Sequence, residues 1–494
     1  MGNRGPCLGA LWAAAVLSST TAALGNGRFP RAERLIENPI DSHQLAIAGT
    51  YGILTTSDRG RNWYHICEAS FSLQDAYLGD PLLDLTADQS FWVGVQTSLN
   101  VSHDHGCHWD PVWRGDSAFI LDDTFAFARS EPSTVFALLA NYEGGGIKYS
   151  LQASTDHGAT WTALGGQLPA DIVYTIDVDP GDGTHLYATA LLDDVGRLLT
   201  STDGGTTWTS QVIPNTNVSD APYLAGLHPR DPDKIFVRTD AWVTIDGALT
   251  ANDALLYSPD GGQSWSELFR SRAKLYGFAL SPDGSTVLIG YGDPREGAGQ
   301  VVSGPFGVFK SSTDAFAFRR TFAGRVGCLA WTKTGVYVCG SQSFDGFELA
   351  FSPDADFDLD AGCLTPLLVL DQVRGPLACG AGGTSDVCGA AWDLSCATFG
   401  ACAADAAAPP EGCIGASRVA KTPDAGEGAK PGPSAPTITA SGGAGCACSQ
   451  VPARESPGPA VLGLWGLVLF RRPGHRARRA RALSGAGEGA CRPV

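Results

Sequence analysis

The chain has 494 residues and a formal net charge of −17, with only 17 % Asp, Glu, Lys and Arg. That balance argues against nucleic acid as a partner. The 62 glycines, 30 prolines and single methionine describe a turn-rich β protein rather than a helical cytosolic one, and 14 cysteines point to an oxidising compartment.

Residues 1–25 read as a secretory signal peptide. Arg4 supplies the positive start, Leu8 to Leu17 the apolar core, and Ala23-Leu24-Gly25 a small-x-small cleavage site. The apolar core is too short to span a membrane.

From 26 to 373 one eight-residue pattern recurs, Ser/Thr-x-Asp-x-Gly-x-x-Trp. It occupies Thr56 to Trp63, Ser102 to Trp109, Ser154 to Trp161, Ser201 to Trp208 and Ser258 to Trp265. The structural residues of these copies are Asp58 and Trp63, Asp104 and Trp109, Asp156 and Trp161, Asp203 and Trp208, Asp260 and Trp265. Eroded copies begin at Ser312 and Ser352, with Asp314 and Asp354. A period of about fifty residues belongs to propeller blades or solenoid repeats. Locally the pattern is a turn. Ser and Asp bond back to the backbone, Gly supplies a positive φ, and Trp packs on a neighbour.

The repeats resemble the Asp boxes (bacterial neuraminidase repeats) of β-propellers. The resemblance implies a structural hairpin remote from any active face. Sialidases, oligoxyloglucan-type glycosidases, sortilin-type receptors and photosystem assembly factors all carry such boxes, so the fold is predicted and the function is not. The fold expected is all-β, a seven-bladed propeller of four-stranded blades. In blade 4 the strands are predicted at Ile172 to Val178, His185 to Leu191, Arg197 to Ser201 and Trp208 to Ile213. Blade 1 is expected to open near Glu33 and blade 7 to close near Leu370.

The connection between second and third strands is long in blade 5 (240–253) and blade 6 (293–305). These loops would decorate the face opposite the repeated turns. Trp242, Asp246, Asp253, Asp293, Arg295 and Glu296, with Tyr142 and Glu143 from blade 3, are the candidate binding residues. Variable surface loops without a ligand are the competing reading. Cys328 and Cys339 flank a hairpin turn and are expected to bond, and Cys67 could pair with Cys107. His103, His105 and His108 surround one repeated turn and read as surface substitutions rather than a metal cluster. Asp354, Asp356, Asp358 and Asp360 resemble a calcium loop, but Leu359 stands in place of the sharp-turn glycine, so a solvated acidic loop is the preferred account and no cofactor is expected.

Beyond the propeller, 374–413 is a Cys-rich segment. The six cysteines from Cys363 to Cys413 allow fifteen disulfide connectivities, and without a Cys-x-x-Cys pair or a histidine zinc is disfavoured. Residues 414–444 read as a flexible Pro/Gly/Ala linker. The end, 445–494, has Cys446 and Cys448, an apolar stretch from Pro459 to Phe470, and six arginines from Arg471 to Arg481. This resembles the myxobacterial tripartite sorting signal. The resemblance implies modification at Cys446 or Cys448 and delivery to the outer membrane and cell surface. The whole assembly is similar to uncharacterised cell-surface propeller proteins of myxobacteria.

For catalysis, sialidase chemistry needs three arginines and a Tyr/Glu pair. Only Arg28 and Pro30 remain of the usual first motif, and Arg238, Arg295 and Tyr337 are candidates without supporting context. A two-carboxylate glycosidase depends on spacing that sequence does not give. The preferred reading is therefore an exported, non-catalytic module binding an extracellular glycan or surface protein. The alternative is a glycoside hydrolase acting on extracellular glycans.

Overall fold

The computed structural model describes residues 30–71, 80–95, 98–114, 118–143, 146–293, 300–301, 304–355 and 364–402, all within one compact unit. Arg28, Arg295, Glu296, Asp356, Asp358, Asp360, Cys363, Cys413, Cys446 and Cys448 lie outside the described residues, as do the segments read from sequence as signal peptide, linker and sorting tail.

Seven antiparallel sheets follow one another along the chain, each with a core of four sequential strands. This is the seven-bladed propeller. Blade 4 comprises Ile172–Asp179, Asp182–Leu192, Val195–Ser201 and Thr209–Val212, each strand pairing with the next. The faces of neighbouring blades supply the core. Leu138 and Leu151 of blade 3 pack with Val173, Ile176 and Leu186 of blade 4 in one buried cluster. No blade could hide both of its faces alone.

The repeated turns explain why the chain reverses where it does. In blade 4 the Ser201 hydroxyl donates to Asp203 Oδ1 (2.8 Å) and accepts the Gly205 N–H (2.8 Å). Asp203 in turn accepts the Thr207 N–H and hydroxyl. Gly205 has φ +86°, and an added Cβ there would lie 2.4 Å from Leu151. The Trp208 indole closes the turn by donating to the Gly205 carbonyl (3.1 Å). Trp63 and Trp161 reach instead to the adjacent blade, donating to the carbonyls of Leu367 and Val112.

Blade 1 consists of the N-terminal strands Ala32–Glu37, Leu45–Gly49, Gly52–Thr56 and Trp63–Ile66. It meets blade 7 across a shared cluster containing Leu35, Ile47, Cys328, Tyr337 and Leu349. Thr332 and Tyr337 of blade 7 donate to Glu37, and Tyr51 donates to Glu348 (3.2 Å). Both ends of this seam are thus bonded across by side chains.

The region after blade 7 is the disulfide-bonded segment expected, and it is tied back onto blades 1 and 2. Val373–Pro376 adds to the outer strand of blade 1 in parallel, making a fifth strand. Thr384–Phe399 is a helix of 16 residues, ended by Gly400 at φ 77°. Its Trp392 and Phe399 lie against His65, and Phe399 also meets Tyr51. The Cys67–Cys107 pairing is wrong. Cys67 bonds to Cys388 and Cys107 to Cys379, so both propeller cysteines reach the C-terminal segment. Their separations of 321 and 272 residues are invisible to a rule that pairs neighbours. Cys328 and Cys339 are bonded across one hairpin, and Cys396 bonds to Cys402. Disulfides of this number belong to an exported protein.

Candidate ligand-binding mouth of the propeller

Strand direction fixes which residues share a face. The repeated turns join third strands to fourth, so the start of each inner strand and each connection from second to third strand lie at the opposite end. There the inner strands of blades 1, 4, 5 and 6 carry a local irregularity. Their register to the second strand slips at Glu33 in blade 1, Tyr174 in blade 4, Ala225 in blade 5 and Tyr276 in blade 6. A bulge of this kind bends the strand and re-aims its side chain. All four of these residues are half-buried; in blades 4 and 6 the flanking Val173, Thr175, Leu275 and Gly277 are buried, whereas Arg34, Leu224 and Gly226 beside the other two slips are half-buried as well. The slips therefore present a ring of partly exposed side chains to the mouth of the central channel.

On one wall the Tyr174 and Tyr223 rings lie 4.9 Å apart, centroid to centroid. The Arg238 guanidinium carbon is 4.4 Å from the centre of the Tyr223 ring. Such a contact is attractive through the ring quadrupole. Burial and nearby carboxylates push the Tyr174 hydroxyl up to about 12, so it stays neutral and able to donate.

Next to this wall sits a buried ion pair. Lys274 Nζ lies 2.7 Å from Asp253 and 2.5 Å from Asp240, and 4.8 Å from the Trp242 ring centre. Asp253 is fully buried and also accepts the N–H groups of Ala241 and Leu275. Burial pushes its carboxyl up, against the pull of Lys274. Its bonds tie blade 5 to the inner strand Lys274–Leu280 of blade 6. Asp253 thus holds these two blades together.

Across the mouth, Arg31 donates to Glu33 and stacks on Tyr276, 4.6 Å from the ring centre. Burial raises the Glu33 carboxyl to about 8. Arg31 opposes that rise, and the adjoining carboxyl of Asp80, hydrogen-bonded to it, reinforces it. Glu33 therefore holds a proton at neutral pH. Glu348, buried beneath Tyr51, is likewise raised to about 8 by burial.

The candidates from sequence divide. Trp242 and Asp253 meet at Lys274, on the decorated face. Asp246 is exposed at the tip of the hairpin made by Ile235–Ile245 and Ala248–Ala251, with φ 50°. Glu143 is exposed at the end of Val135–Glu143, where Tyr142 also lies. Asp293 opens the blade 6 connection on the same face, with its carboxylate 3.9 Å from Arg325 just ahead of the inner strand of blade 7. Arg238 and Tyr337 do not converge: Arg238 is at the mouth, while Tyr337 bonds Glu37 and Thr334 at the opposite end. His103, His105 and His108 bond to Ser90, Gln44 and Asp104 respectively. Among the described residues no group of three or more His, Cys, Asp or Glu could hold a metal, and Asp354 is exposed in a bend.

Lys274, Tyr174, Tyr223, Arg31 and Glu33 escaped the sequence reading. Their common signal is position, at or just before the start of an inner strand one repeat apart.

Comparison with known proteins gives partial matches. The family model described as Sortilin-Vps10 (sortilin, neurotensin receptor 3) matches residues 149–327. A curated xyloglucanase of a Paenibacillus species is 26 % identical over 287 residues, which is 48 % of this chain and 26 % of the relative. The chain thus spans about a quarter of that enzyme's length. Among solved structures, an ancestral GH74 enzyme aligns with TM-score 0.47 at 14 % identity, covering 67 % of this chain and 45 % of the other. The GH74 enzyme of Niastella koreensis aligns with TM-score 0.40 at 15 % identity, covering 68 % and 45 %.

Proposed function

We propose that this chain is an exported, non-catalytic propeller that binds an extracellular polysaccharide at the channel mouth. The observation that carries the reading is the wall of Tyr174, Tyr223 and Arg238. Two part-exposed aromatic rings 4.9 Å apart, flanked by a guanidinium, offer apolar faces and directed donors together. Sugar rings present the matching combination of C–H faces and hydroxyls. The resemblance to a xyloglucanase supports the polysaccharide class. The sorting resemblance at the C-terminus supports retention of the chain at the outer surface, with Cys446 or Cys448 as the modified residue.

One observation favours a glycoside hydrolase instead. A protonated Glu33 at the mouth has the ionisation a general acid needs. Its neighbour weighs against it. Glu33 and Asp80 are in hydrogen-bond contact, whereas the carboxyls flanking a glycosidic bond stand about 5 Å apart or more.

The test is affinity electrophoresis of the purified full-length chain in xyloglucan, β-glucan and acidic polysaccharide gels, with reducing-end assays on the same polymers. Retardation without turnover, weakened at least about tenfold by Tyr174→Ala and Tyr223→Ala, is the expected result. Turnover abolished by Glu33→Gln would establish the hydrolase. Migration unaltered in every gel would remove the polysaccharide reading.

A further inference from the structure

The mouth contains an unspent cation. Arg238 projects from the second strand of blade 5 and lies on Tyr223. Among the described residues it has no hydrogen-bond or ion-pair partner. The carboxylates of the same blade on this side are already engaged: Asp240 and Asp253 both hold Lys274, and Asp220 faces Arg270 at 3.7 Å. Arg238 stays half-buried, so its donors are open to the mouth but only partly hydrated. The stacked ring holds the guanidinium plane in place, which reduces the freedom lost when a ligand arrives.

A planar fork of N–H donors beside a platform for a sugar ring selects a particular chemistry. A carboxylate accepts two parallel hydrogen bonds from guanidinium, and a neutral hydroxymethyl group at the same carbon cannot. Building on the polysaccharide-binding reading, we propose that the Arg238–Tyr223–Tyr174 wall is a subsite for a uronic acid, with the sugar on the tyrosines and its carboxylate on Arg238. Lys274 is shared between Asp240 and Asp253, and the carboxylates of Asp240 and Asp194 lie near Tyr174, so Arg238 is the group on this wall that draws an anion in. Beyond a screening length of about 8 Å the acidic charge of the wider chain is largely masked at physiological salt.

The experiment uses the full-length chain and three soluble probes: an oligogalacturonate, the same oligosaccharide after carboxyl reduction, and a neutral xyloglucan oligosaccharide. Titration calorimetry should show the uronate bound at least about tenfold more tightly than its reduced form. Arg238→Gln should bring the two affinities together, and Arg238→Lys should restore part of the difference. In the wild-type protein the uronate preference should shrink as salt rises while xyloglucan binding stays level, a check that requires no variant to fold. Equal affinities for uronate and reduced forms would overturn the subsite and leave the polysaccharide reading intact. A preference that survives in Arg238→Gln, with the melting temperature unchanged, would overturn the assignment to Arg238. Failure of all three probes to bind would overturn the subsite and the broader reading together.

Discussion

At the scale of single residues, the mouth stores protons. Glu348 is 1 % exposed and accepts the Tyr51 hydroxyl, yet burial raises its carboxyl to about 8. Its ordinary value is 4.5. A carboxyl whose folded pKa is raised binds its proton more tightly in the folded state. It does not affect stability below about pH 4.5, and its cost grows as pH climbs from there to about 8. Glu348→Gln keeps the acceptor oxygen and removes the titration. The variant should therefore be more stable than wild type at pH 8, by ~1–3 kcal/mol, and should lose that advantage by pH 5. Thermal melts across that range read the difference directly. A constant offset at all pH values would mean that Glu348 is not the titrating group. The repeated-turn aspartates act in the opposite sense. Hydrogen bonds from Thr207 and Ser201 hold Asp203 down to about 2, so its contribution is present above the ordinary 3.8 and fades as pH falls toward 2.

At the scale of the element, the five intact turns form an internal mutational series. The position before the last glycine has positive φ in every copy, filled by Arg59, His105, His157, Gly204 and Gly261. Side chains are thus accepted there, although the left-handed conformation costs them about 1 kcal/mol. The next position is glycine in all five, and at Gly205 a Cβ would press on buried Leu151. Gly204→Asn should cost well under 1 kcal/mol, and Gly205→Ala ~2–4 kcal/mol, in urea unfolding. Equal costs would contradict the packing argument. This element was legible in the sequence because every bond in it is made within eight residues. Trp208 could be read as a packing residue from its place in the pattern, and the hairpin of Cys328 and Cys339 from the turn between them. Lys274 was not legible. Its local context, Ala273-Lys274-Leu275, is bland, and its meaning comes from Asp253 in the preceding blade. The slips at Glu33, Tyr174 and Tyr276 were equally hidden, because a bulge is a property of two paired strands and neither strand's own pattern encodes it. Nor does the sequence show that Asp253 is buried: an acidic residue at the end of a long loop looks exposed until the neighbouring blade supplies a lysine.

At the scale of the whole molecule, the closure of the ring decides stability. The first four strands of blade 1 come from the beginning of the chain, and Val373–Pro376, from beyond blade 7, is added outside them, so the seam with blade 7 itself is closed by side chains while the sheet of blade 1 holds a strand from the later chain. Helix Thr384–Phe399 and the disulfides Cys67–Cys388 and Cys107–Cys379 bind the end of the chain back to blades 1 and 2. Removing Cys67–Cys388 by paired Ser substitution should cost ~2–4 kcal/mol, and hydrogen exchange should then quicken first in the helix and in Val373–Pro376. Loss of Cys328–Cys339, which closes only 11 residues, should cost less. Exchange that quickens first in blade 4 would show that the strap does not guard the seam.

The same strap sets the path of mechanical load. A pull applied beyond residue 402 would reach the helix, pass through Cys388 into Cys67 and through Cys379 into Cys107, and enter blades 1 and 2. Blade 7 would be largely bypassed, although it precedes the strap directly in the chain. Under such a load, covalent bonds would bear the drag and the noncovalent seam would be shielded. Oxidised and reduced molecules should then part ways under optical tweezers: the first stretching as a short leash with the wheel intact, the second unzipping from blade 7 inward.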